Sequence, residues 1–183
     1  MIIIQFDDGK RPIYGKAIDQ VMSSKPASVR HTLITSSCGH DVRNSDYRAA
    51  SEIVRLTEAC INPEMFWLDS DVLIKKWPDF EFKPGKPYCS EKWFEAIFYV
   101  NGCCDFFRDL FKEYEDKRLH KSCWLRRLFR DHLKEFELIP EGYFVHMALS
   151  AAILAAENFS NYATKDFKVY RDKNGELQFD IRF

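Results

Sequence analysis

An apolar run, Met65-Phe66-Trp67-Leu68-Asp69-Ser70-Asp71-Val72-Leu73-Ile74, carries two carboxylates near its middle. Apolar runs of this length are typical of a strand that is buried on both faces of a sheet. Ionised carboxylates are costly in such a strand unless they are paired or bind a metal ion. We therefore predict that the strand ends at Leu68. Asp69 and Asp71 then lie at the carboxyl edge of the sheet, where open α/β sheets bind ligands.

Two carboxylates separated by one residue suggest a site for a divalent cation. Together with water and phosphate oxygens they suit Mg²⁺ or Mn²⁺. An isolated Asp-x-Asp is also common in solvated turns, which bind nothing. The apolar residues on both sides favour the metal site, because burying unpaired charge is costly. The pattern thus predicts a metal site for a diphosphate-bearing ligand.

Length and composition narrow the class of protein. With 183 residues the chain favours one domain, and a net charge of -1 gives no basic field for nucleic acid. No apolar run approaches the length of a membrane span, and the first residues do not resemble a signal peptide. The cysteines show no zinc spacing, so we expect reduced thiols and a cytoplasmic protein. They are Cys38, Cys60, Cys89, Cys103, Cys104 and Cys123.

The segments before the Asp pair alternate between strand and helix patterns. We predict strands over residues 2–6 and 32–35, and helices over residues 14–24 and from about 45 to 60. With the strand before Asp69 this order is β-α-β-α-β, which is typical of a parallel sheet. The predicted fold class is therefore α/β with a mainly parallel central sheet.

The segments after the Asp pair predict a second half with a different organisation. Residues 75–87 contain three prolines and a glycine, which favours an irregular loop that could act as a lid. The following patterns predict a strand over 93–100, a helix from Asp105, a helix with a basic face over about 122–136, strand-turn-strand over 137–146 and a helix to about 158. Asn174-Gly175 between two alternating segments predicts a C-terminal β-hairpin.

The helix and strand around the Asp pair resemble a known motif. Ala49-Ala50-Ser51-Glu52-Ile53-Val54-Arg55-Leu56, followed after a break by Phe66-Trp67-Leu68-Asp69-Ser70-Asp71-Val72, resembles the DXD sugar-binding region of GT-A glycosyltransferases. That group includes the glucosylating clostridial toxins and yeast-type mannosyltransferases. The resemblance implies one GT-A-like, Rossmann-like nucleotide-sugar-binding domain over residues 1–183. Residues 1–74 would be the nucleotide-binding half that ends in the DXD motif, and residues 75–183 the acceptor and lid half.

The chain departs from the family pattern, A-S-D-x-x-R-x-x-x-L-x-x-x-G-G-x-Y-x-D-x-D, at three places. Glu52 replaces the first aspartate, and Trp67 replaces the tyrosine before the Asp pair. The two glycines are replaced within Ile61-Asn62-Pro63-Glu64, so the close backbone approach that glycine permits is lost or rerouted. A non-catalytic member of the group is therefore an alternative.

The resemblance implies roles for four residues. Glu52 and Arg55 would hold the donor ribose or sugar and the diphosphate, for which a guanidinium is a forked, permanently charged donor. Asp69 would contact the ribose or sugar, and Asp71 would coordinate Mn²⁺ or Mg²⁺. Asp69, Asp71 and Arg55 are the predicted catalytic residues. The alternative for Arg55 is an exposed helix residue that pairs with a glutamate at helical spacing, Glu52 or Glu58.

Three further residues are weaker candidates. His146 lies where many GT-A enzymes bring a late histidine to the metal, although a core histidine satisfied by one backbone hydrogen bond is equally consistent with the sequence. Asn101 ends the predicted strand over 93–100 and would lie near the donor sugar. Phe6 and the loop after Thr35 would form walls for the nucleobase, because they end the first two strands.

These observations predict a metal-dependent glycosyltransferase. It would move a sugar from a nucleotide-diphosphate sugar, a UDP- or GDP-sugar, to the hydroxyl of an unknown acceptor. The alternatives are a non-catalytic nucleotide-sugar-binding or interaction protein of the same fold, and a haloacid-dehalogenase-type phosphatase with Asp69 as nucleophile. No general base is evident from the sequence.

Overall fold

The computed structural model describes residues 1–7, 9, 11–35, 47–117 and 124–183. Strands and helices follow in chain order as β1 (Ile2–Phe6), α1 (Pro12–Ser24), β2 (Arg30–Ile34), α2 (Tyr47–Ile61), β3 (Glu64–Leu68), β4 (Val72–Ile74), β5 (Tyr88–Ser90), β6 (Ile97–Asn101), α3 (Cys104–Lys117), α4 (Trp124–Asp131), a 3-10 helix (Leu133–Glu135), β7 (Glu137–Ile139), β8 (Phe144–His146), α5 (Leu149–Asn158), β9 (Asn161–Ala163), β10 (Phe167–Arg171) and β11 (Leu177–Ile181).

Six strands form the central sheet, in the order β2-β1-β3-β6-β5-β7. The pairs β1/β2, β1/β3 and β5/β7 are parallel, whereas β6 runs antiparallel to both of its neighbours. The predicted α/β class with a mainly parallel central sheet is therefore confirmed. The reversal of β6 is decisive for the site, because the start of β6 then lies beside the end of β3.

The strand before the Asp pair is buried on both faces, as predicted. β3 ends at Leu68, and Met65, Phe66, Trp67 and Leu68 are each 0% exposed. Trp67 packs in the core on the face covered by α2, α3 and α4, while Phe66 and Leu68 pack in the core on the other face. A strand with two buried faces needs a continuous apolar run, which explains why the sequence does not alternate.

The irregular segment over residues 75–87 is anchored by its aromatic side chains. Trp77 and Phe82 meet the ring of Phe66 at centroid distances of 5.5 Å and 5.6 Å, and Phe80 packs on Phe82 at 4.5 Å. These contacts place the segment against a face of the central sheet. None of residues 76–87, all of which the structure describes, lines the cavity beside the Asp pair. In the conformation described, the segment is therefore not a lid over that cavity.

Two predicted elements differ most from the structure in their extent. The strand predicted over 93–100 begins at Ile97, because the backbone N–H groups of Ala96 and Ile97 both donate to the carbonyl of Trp93 and form a turn. The helix predicted over 122–136 is α4 followed by a 3-10 turn. Residues 122 and 123 of that prediction lie outside the described part.

The segment over 137–146 contains two strands, as predicted, but they join different sheets. β7 extends the central sheet through a parallel pairing with β5, whereas β8 pairs antiparallel with β4. In the second pairing Val72 lies opposite His146. The β4–β8 pair thus brings the predicted histidine back to the Asp pair.

The C-terminal hairpin is confirmed. β10 and β11 pair antiparallel from Phe167 opposite Ile181 to Arg171 opposite Leu177, and β9 adds a third strand. Gly175 has a φ of +82°, the left-handed conformation that the turn requires and that favours glycine. Phe167 packs with α1 and α5 in a third core cluster.

Four cysteines in the described part are free thiols: Cys60, Cys89, Cys103 and Cys104. The other two, Cys38 and Cys123, lie outside the described residues. In the part of the chain that is described, no helix has the length and apolar character needed to cross a membrane.

Candidate functional site

The turn between β3 and β4 is fixed to two other strands. The side chain of Gln5 donates to the carbonyl of Asp69 at 3.2 Å, and the Ser70 hydroxyl donates to the carbonyl of Phe6. The backbone N–H of Asp69 donates to the carbonyl of Ala96 at 2.9 Å. The carboxylates are therefore presented by a turn that is tied to the end of β1 and to the start of β6.

The Asp69 carboxylate is held by two donors. Its Oδ1 accepts from the indole N–H of Trp67 at 2.7 Å and lies 3.0 Å from Nη2 of Arg55. Burial and the negative charge of Asp71 raise the pKa of Asp69, while Arg55, His146 and the Trp67 hydrogen bond act in the opposite direction. The replacement of tyrosine by Trp67 therefore supplies a donor that orients the first aspartate.

The Asp71 carboxylate joins the turn to α5. Its Oδ2 accepts from the backbone N–H of Leu149 at 2.9 Å, and its backbone carbonyl accepts from Met147 at 2.8 Å. Its Oδ1 lies 3.2 Å from Nε2 of His146. With only 8% of the residue exposed, Asp71 is a buried carboxylate facing an imidazole.

The His146 ring is oriented by contacts on both of its sides. Its Nδ1 accepts from the backbone N–H of Ala148 at 3.0 Å, so the ring proton of the neutral imidazole lies on Nε2 and points to Asp71. The Trp93 ring stacks on it, with a centroid distance of 4.4 Å and an interplanar angle of 17°. The structure thus brings together Asp69, Asp71 and His146, as the sequence predicted for a metal site.

This group has the composition of a divalent-cation site. One ligand atom from each of Asp69, Asp71 and His146 can be chosen so that all three lie within 4.8 Å of one another. Carboxylate oxygens and an imidazole nitrogen suit Mn²⁺, and two carboxylates suit Mg²⁺. Coordination through Nε2 of His146 would move the ring proton to Nδ1 and end the contact from Ala148. The residues therefore fit the cation, with a tautomer change at the histidine.

Arg55 is buried and holds the site together. It is 5% exposed, and its guanidinium contacts Asp69, the side chain and carbonyl of Ser51, and the carbonyl of Glu95. It also lies over the Trp67 ring, 5.2 Å from the centroid. The alternative of an exposed helix residue paired with a glutamate at helical spacing is wrong. Arg55 points inward and its partner is the first aspartate of the motif.

Glu52 lies one helical turn before Arg55 and is also buried. It is 8% exposed and accepts a hydrogen bond of 2.7 Å from the hydroxyl of Tyr114. The longer side chain of glutamate thus reaches α3. Glu52 and Arg55 line the same cavity as the Asp pair.

The cavity beside the Asp pair has a volume of about 580 Å³ and opens between the two halves of the chain. Several of its lining residues were not singled out by the sequence as site residues. They are Arg11, Tyr14, Trp93, Glu95, Arg126 and Ser150.

Glu95 is notable among the residues that the sequence did not single out. Its Oε2 is buried without a hydrogen-bond partner, the one such side-chain atom in the described part of the chain. Its Oε1 lies 3.7 Å from Nε of Arg126, which is too long for a hydrogen bond. The pattern that identified Asp69, an acidic residue inside an apolar run, would also have identified Glu95. Here the run is Trp93-Phe94-Glu95-Ala96-Ile97.

Two predicted donor-binding residues are placed elsewhere. Phe6 is 2% exposed and its ring packs in the core, so it is not an open wall for a nucleobase. The predicted second wall, after Thr35, lies outside the described residues. Asn101 pairs with Glu64 at the amino end of β3, because β6 is antiparallel, and its side chain donates to the carbonyl of Lys83 at 2.7 Å. The expected position of Asn101 near the donor sugar is therefore wrong.

Comparison with known proteins identifies the fold. No protein-family model matches the chain, and no curated protein matches it significantly. A glycosyltransferase involved in the glycosylation of the major capsid of PBCV-1 has a similar structure, with a TM-score of 0.58 and 12% identity over 80% of this chain and 92% of that one. The apo-form glycosyltransferase GlyE of Streptococcus pneumoniae TIGR4 matches with a TM-score of 0.57 and 7% identity, over 76% of this chain and 45% of that one. The chain therefore has a fold found in glycosyltransferases.

Proposed function

We propose that this protein is a metal-dependent glycosyltransferase that moves a sugar from a nucleoside-diphosphate sugar to an acceptor hydroxyl. The observation that carries the proposal is the cluster of Asp69, Asp71 and His146, with ligand atoms within 4.8 Å, in a cavity of about 580 Å³. The fold shared with solved glycosyltransferases supports the same chemistry.

The ligand class follows from the charges in the cavity. Buried carboxylates beside an imidazole repel a bare anion but accept a cation, and a divalent cation in turn binds diphosphate oxygens. A UDP- or GDP-sugar supplies such a diphosphate next to the bond that is cleaved. When bound, the cation would offset the negative charge that develops on the departing diphosphate.

The chain's own residues have separate parts in this proposal. Asp71, Asp69 and His146 would hold the cation, and Leu149 fixes Asp71 through its backbone N–H. Arg55 acts as a positioning residue, because the contacts described for its guanidinium are to protein groups and one of them is Asp69. The acceptor hydroxyl attacks the anomeric carbon, the bond from that carbon to the diphosphate breaks with its electron pair left on the diphosphate oxygen, and the hydroxyl proton is released to solvent or to the departing diphosphate.

The acceptor is proposed to approach from a second cavity of about 360 Å³. Trp93, His146 and Ala148 line both cavities and form the boundary between them. The rest of its lining comes from residues 75–183, the half to which the sequence assigned acceptor binding. An acceptor there would be adjacent to the donor without a separate domain.

The two alternatives are less well supported. The phosphatase alternative lacks support from the fold, because the similar solved structures are glycosyltransferases. The non-catalytic alternative rested on the loss of two glycines within residues 61–64. Those residues lie at the amino end of β3, about 13 Å along the strand from Leu68. Their replacement is therefore remote from the Asp pair.

Calorimetry tests the proposal directly. UDP and GDP are titrated into the protein with Mn²⁺, with Mg²⁺ and with EDTA, and the same titrations are repeated with Asp71→Asn. We expect one nucleotide to bind only with metal, and binding to be lost in the variant because ligation needs the ionised carboxylate. Equal affinity with and without metal would contradict the metal site. Failure of both nucleotides to bind would contradict the proposed function.

A further inference from the structure

We infer that Arg126 binds the diphosphate of the donor, an inference that rests on the proposed function. The sequence predicts a basic face on the helix that carries Arg126, whereas the family resemblance implies that Arg55 holds the diphosphate. The structure distinguishes the two arginines by their surroundings. Arg55 is buried among protein partners, whereas Arg126 lines the cavity with a side chain that is 52% exposed.

Three arginines line the cavity, and two of them are engaged by the protein. Nη1 of Arg11 donates to the hydroxyl of Tyr14 at 2.6 Å, and its guanidinium lies over that ring. Arg55 contacts Asp69, Ser51 and Glu95. Arg126 makes no hydrogen bond within the described part of the chain, and its ion pair with Glu95 is 3.7 Å long. Its five N–H donors are therefore available to a ligand.

The position of Arg126 is set by aromatic rings. Its guanidinium carbon lies 5.6 Å from the centroid of Trp93 and 5.8 Å from that of Phe94. Trp93 stacks on His146, a member of the proposed metal site. A single ring thus links the guanidinium to the imidazole. An arginine held over aromatic faces keeps its planar fork ordered, which suits bidentate contact with phosphate oxygens.

The charges of the cavity give this arginine a role. Four carboxylates line it, Glu52, Asp69, Asp71 and Glu95, and Arg55 already offsets Asp69. An anionic diphosphate entering such a cavity needs positive charge on the side that the cation does not face. Arg126 supplies it, and the long contact to Glu95 holds the guanidinium nearby without using its donors.

The experiment compares Arg126→Ala with Arg130→Ala, a charge-matched control on the same helix. Calorimetry with Mn²⁺ uses UDP or GDP, whichever the wild type binds, and the corresponding nucleoside. We expect Arg126→Ala to weaken nucleotide binding about tenfold, as for loss of one charged hydrogen-bonding partner. Nucleoside binding should be unchanged, and Arg130→Ala should resemble the wild type. Arg126→Lys should lie between wild type and alanine, because it keeps charge but loses the fork.

Two results with the arginine variants would overturn the inference while leaving the proposed function intact. One is wild-type nucleotide affinity in Arg126→Ala. The other is an equal loss of affinity in Arg130→Ala, which would indicate a general effect of charge. Glu95→Gln gives an independent check, since freeing Arg126 from its carboxylate should leave nucleotide affinity equal or higher. A marked loss in Glu95→Gln would also contradict the inference. If the wild type binds neither nucleotide, the proposed function itself has failed.

Discussion

The two ends of β3 carry ion pairs of nearly equal length in different surroundings. At the amino end, Glu64 lies 3.1 Å from the N-terminal amine of Met1, with side chains 64% and 26% exposed. At the carboxyl end, Asp69 lies 3.0 Å from Arg55, with side chains 23% and 6% exposed. Each end also borders a cavity, of about 490 Å³ and 580 Å³ respectively. Neither distance nor cavity size separates the two ends.

Burial and the number of converging carboxylates do separate them. The exposed pair at the amino end is screened by water and contributes little to stability. At the other end, the Asp69–Arg55 pair is joined by Asp71 and His146, and buried charges of this kind persist where they are paired or bind a metal. Desolvated charge, rather than the presence of an ion pair, is therefore what distinguishes the candidate site from the amino end of β3.

Substituting one acidic residue near each end of β3, Asp71 and Glu64, gives the largest expected difference in activity. Asp71→Asn should reduce sugar transfer at least ~100-fold, because it removes a charged ligand for the cation. The amide oxygen can still accept from Leu149, so the fold is retained. Glu64→Gln, at the amino end, should keep full activity. Initial rates of donor turnover with Mn²⁺, together with melting temperatures, test both variants. Equal activities would remove the functional difference between the two ends.

Breaking each ion pair tests their contributions to stability. Arg55→Ala removes a buried guanidinium and leaves the half-buried Asp69 without its cationic partner, which should cost about 3 kcal/mol in the free energy of unfolding. Glu64→Gln should cost less than ~1 kcal/mol. Arg55→Lys should also be destabilising, because lysine cannot reproduce the contacts to Ser51 and Glu95. Urea denaturation measures all three, and similar costs for Arg55→Ala and Glu64→Gln would contradict the comparison.

Asn101 tests whether the amino end is purely structural. Its side chain donates to the carbonyl of Lys83 at 2.7 Å, so Asn101→Ala should cost about 1 kcal/mol of stability. Because β6 is antiparallel, the residue lies far from Asp69 and transfer should be unchanged. Chemical denaturation and the apparent KM for the donor give the two readouts. A raised KM in a stable variant would return Asn101 to the donor site.

His132 forms ion pairs whose exposure lies between those of the two pairs at the ends of β3. It contacts Glu113 at 2.8 Å and Glu135 at 3.0 Å, and its side chain is 28% exposed. Burial lowers its pKa, but the hydrogen bonds to Glu135 and Glu113 outweigh burial and raise the pKa above the usual value. The stabilisation is therefore complete below the unfolded-state pKa and is lost as pH rises through the raised folded-state pKa.

His132→Gln removes that pH-dependent contribution. We expect the difference in unfolding free energy between the wild type and the variant to be a few tenths of a kcal/mol larger at about pH 5.5 than at about pH 8.5. This is the smallest of the predicted effects. Unfolding free energies of both proteins at the two pH values provide the measurement. A difference that does not change with pH would show that His132 is not charged in the fold.

The sequence predicted the part of the site that depends on one strand. The apolar run up to Leu68 fixed the end of β3, and the cost of buried charge placed Asp69 and Asp71 just beyond it. His146 was predicted through the family resemblance, and its position follows from the β4–β8 pairing. The structural comparisons agree on the fold, whereas the roles of these residues stay predictions until the variants are measured.

The errors have three physical causes. Asn101 was misplaced because an apolar run does not specify strand direction, and β6 runs against β3. Phe6 was misplaced because position along a strand does not decide the face, and its ring points into the core with Trp67. Arg126 was predicted only as part of a basic helix face, because the cavity that gives it a role forms only when α4 packs beside the turn before β6.

The hydrogen bond from Asp69 to Ala96 has a practical consequence for protein engineering. The chain leaves the site after Asp71 and returns to it at Trp93, so an exposed turn within this excursion can change length without moving Asp69 or Ala96. Gly85 and Lys86 are exposed in this excursion, and Gly85 donates to the carbonyl of Asn101 at the far edge of the sheet. Exposed turns of this kind tolerate insertions. A peptide tag placed between Gly85 and Lys86 would immobilise the protein on a sensor surface with the proposed donor cavity directed away from it.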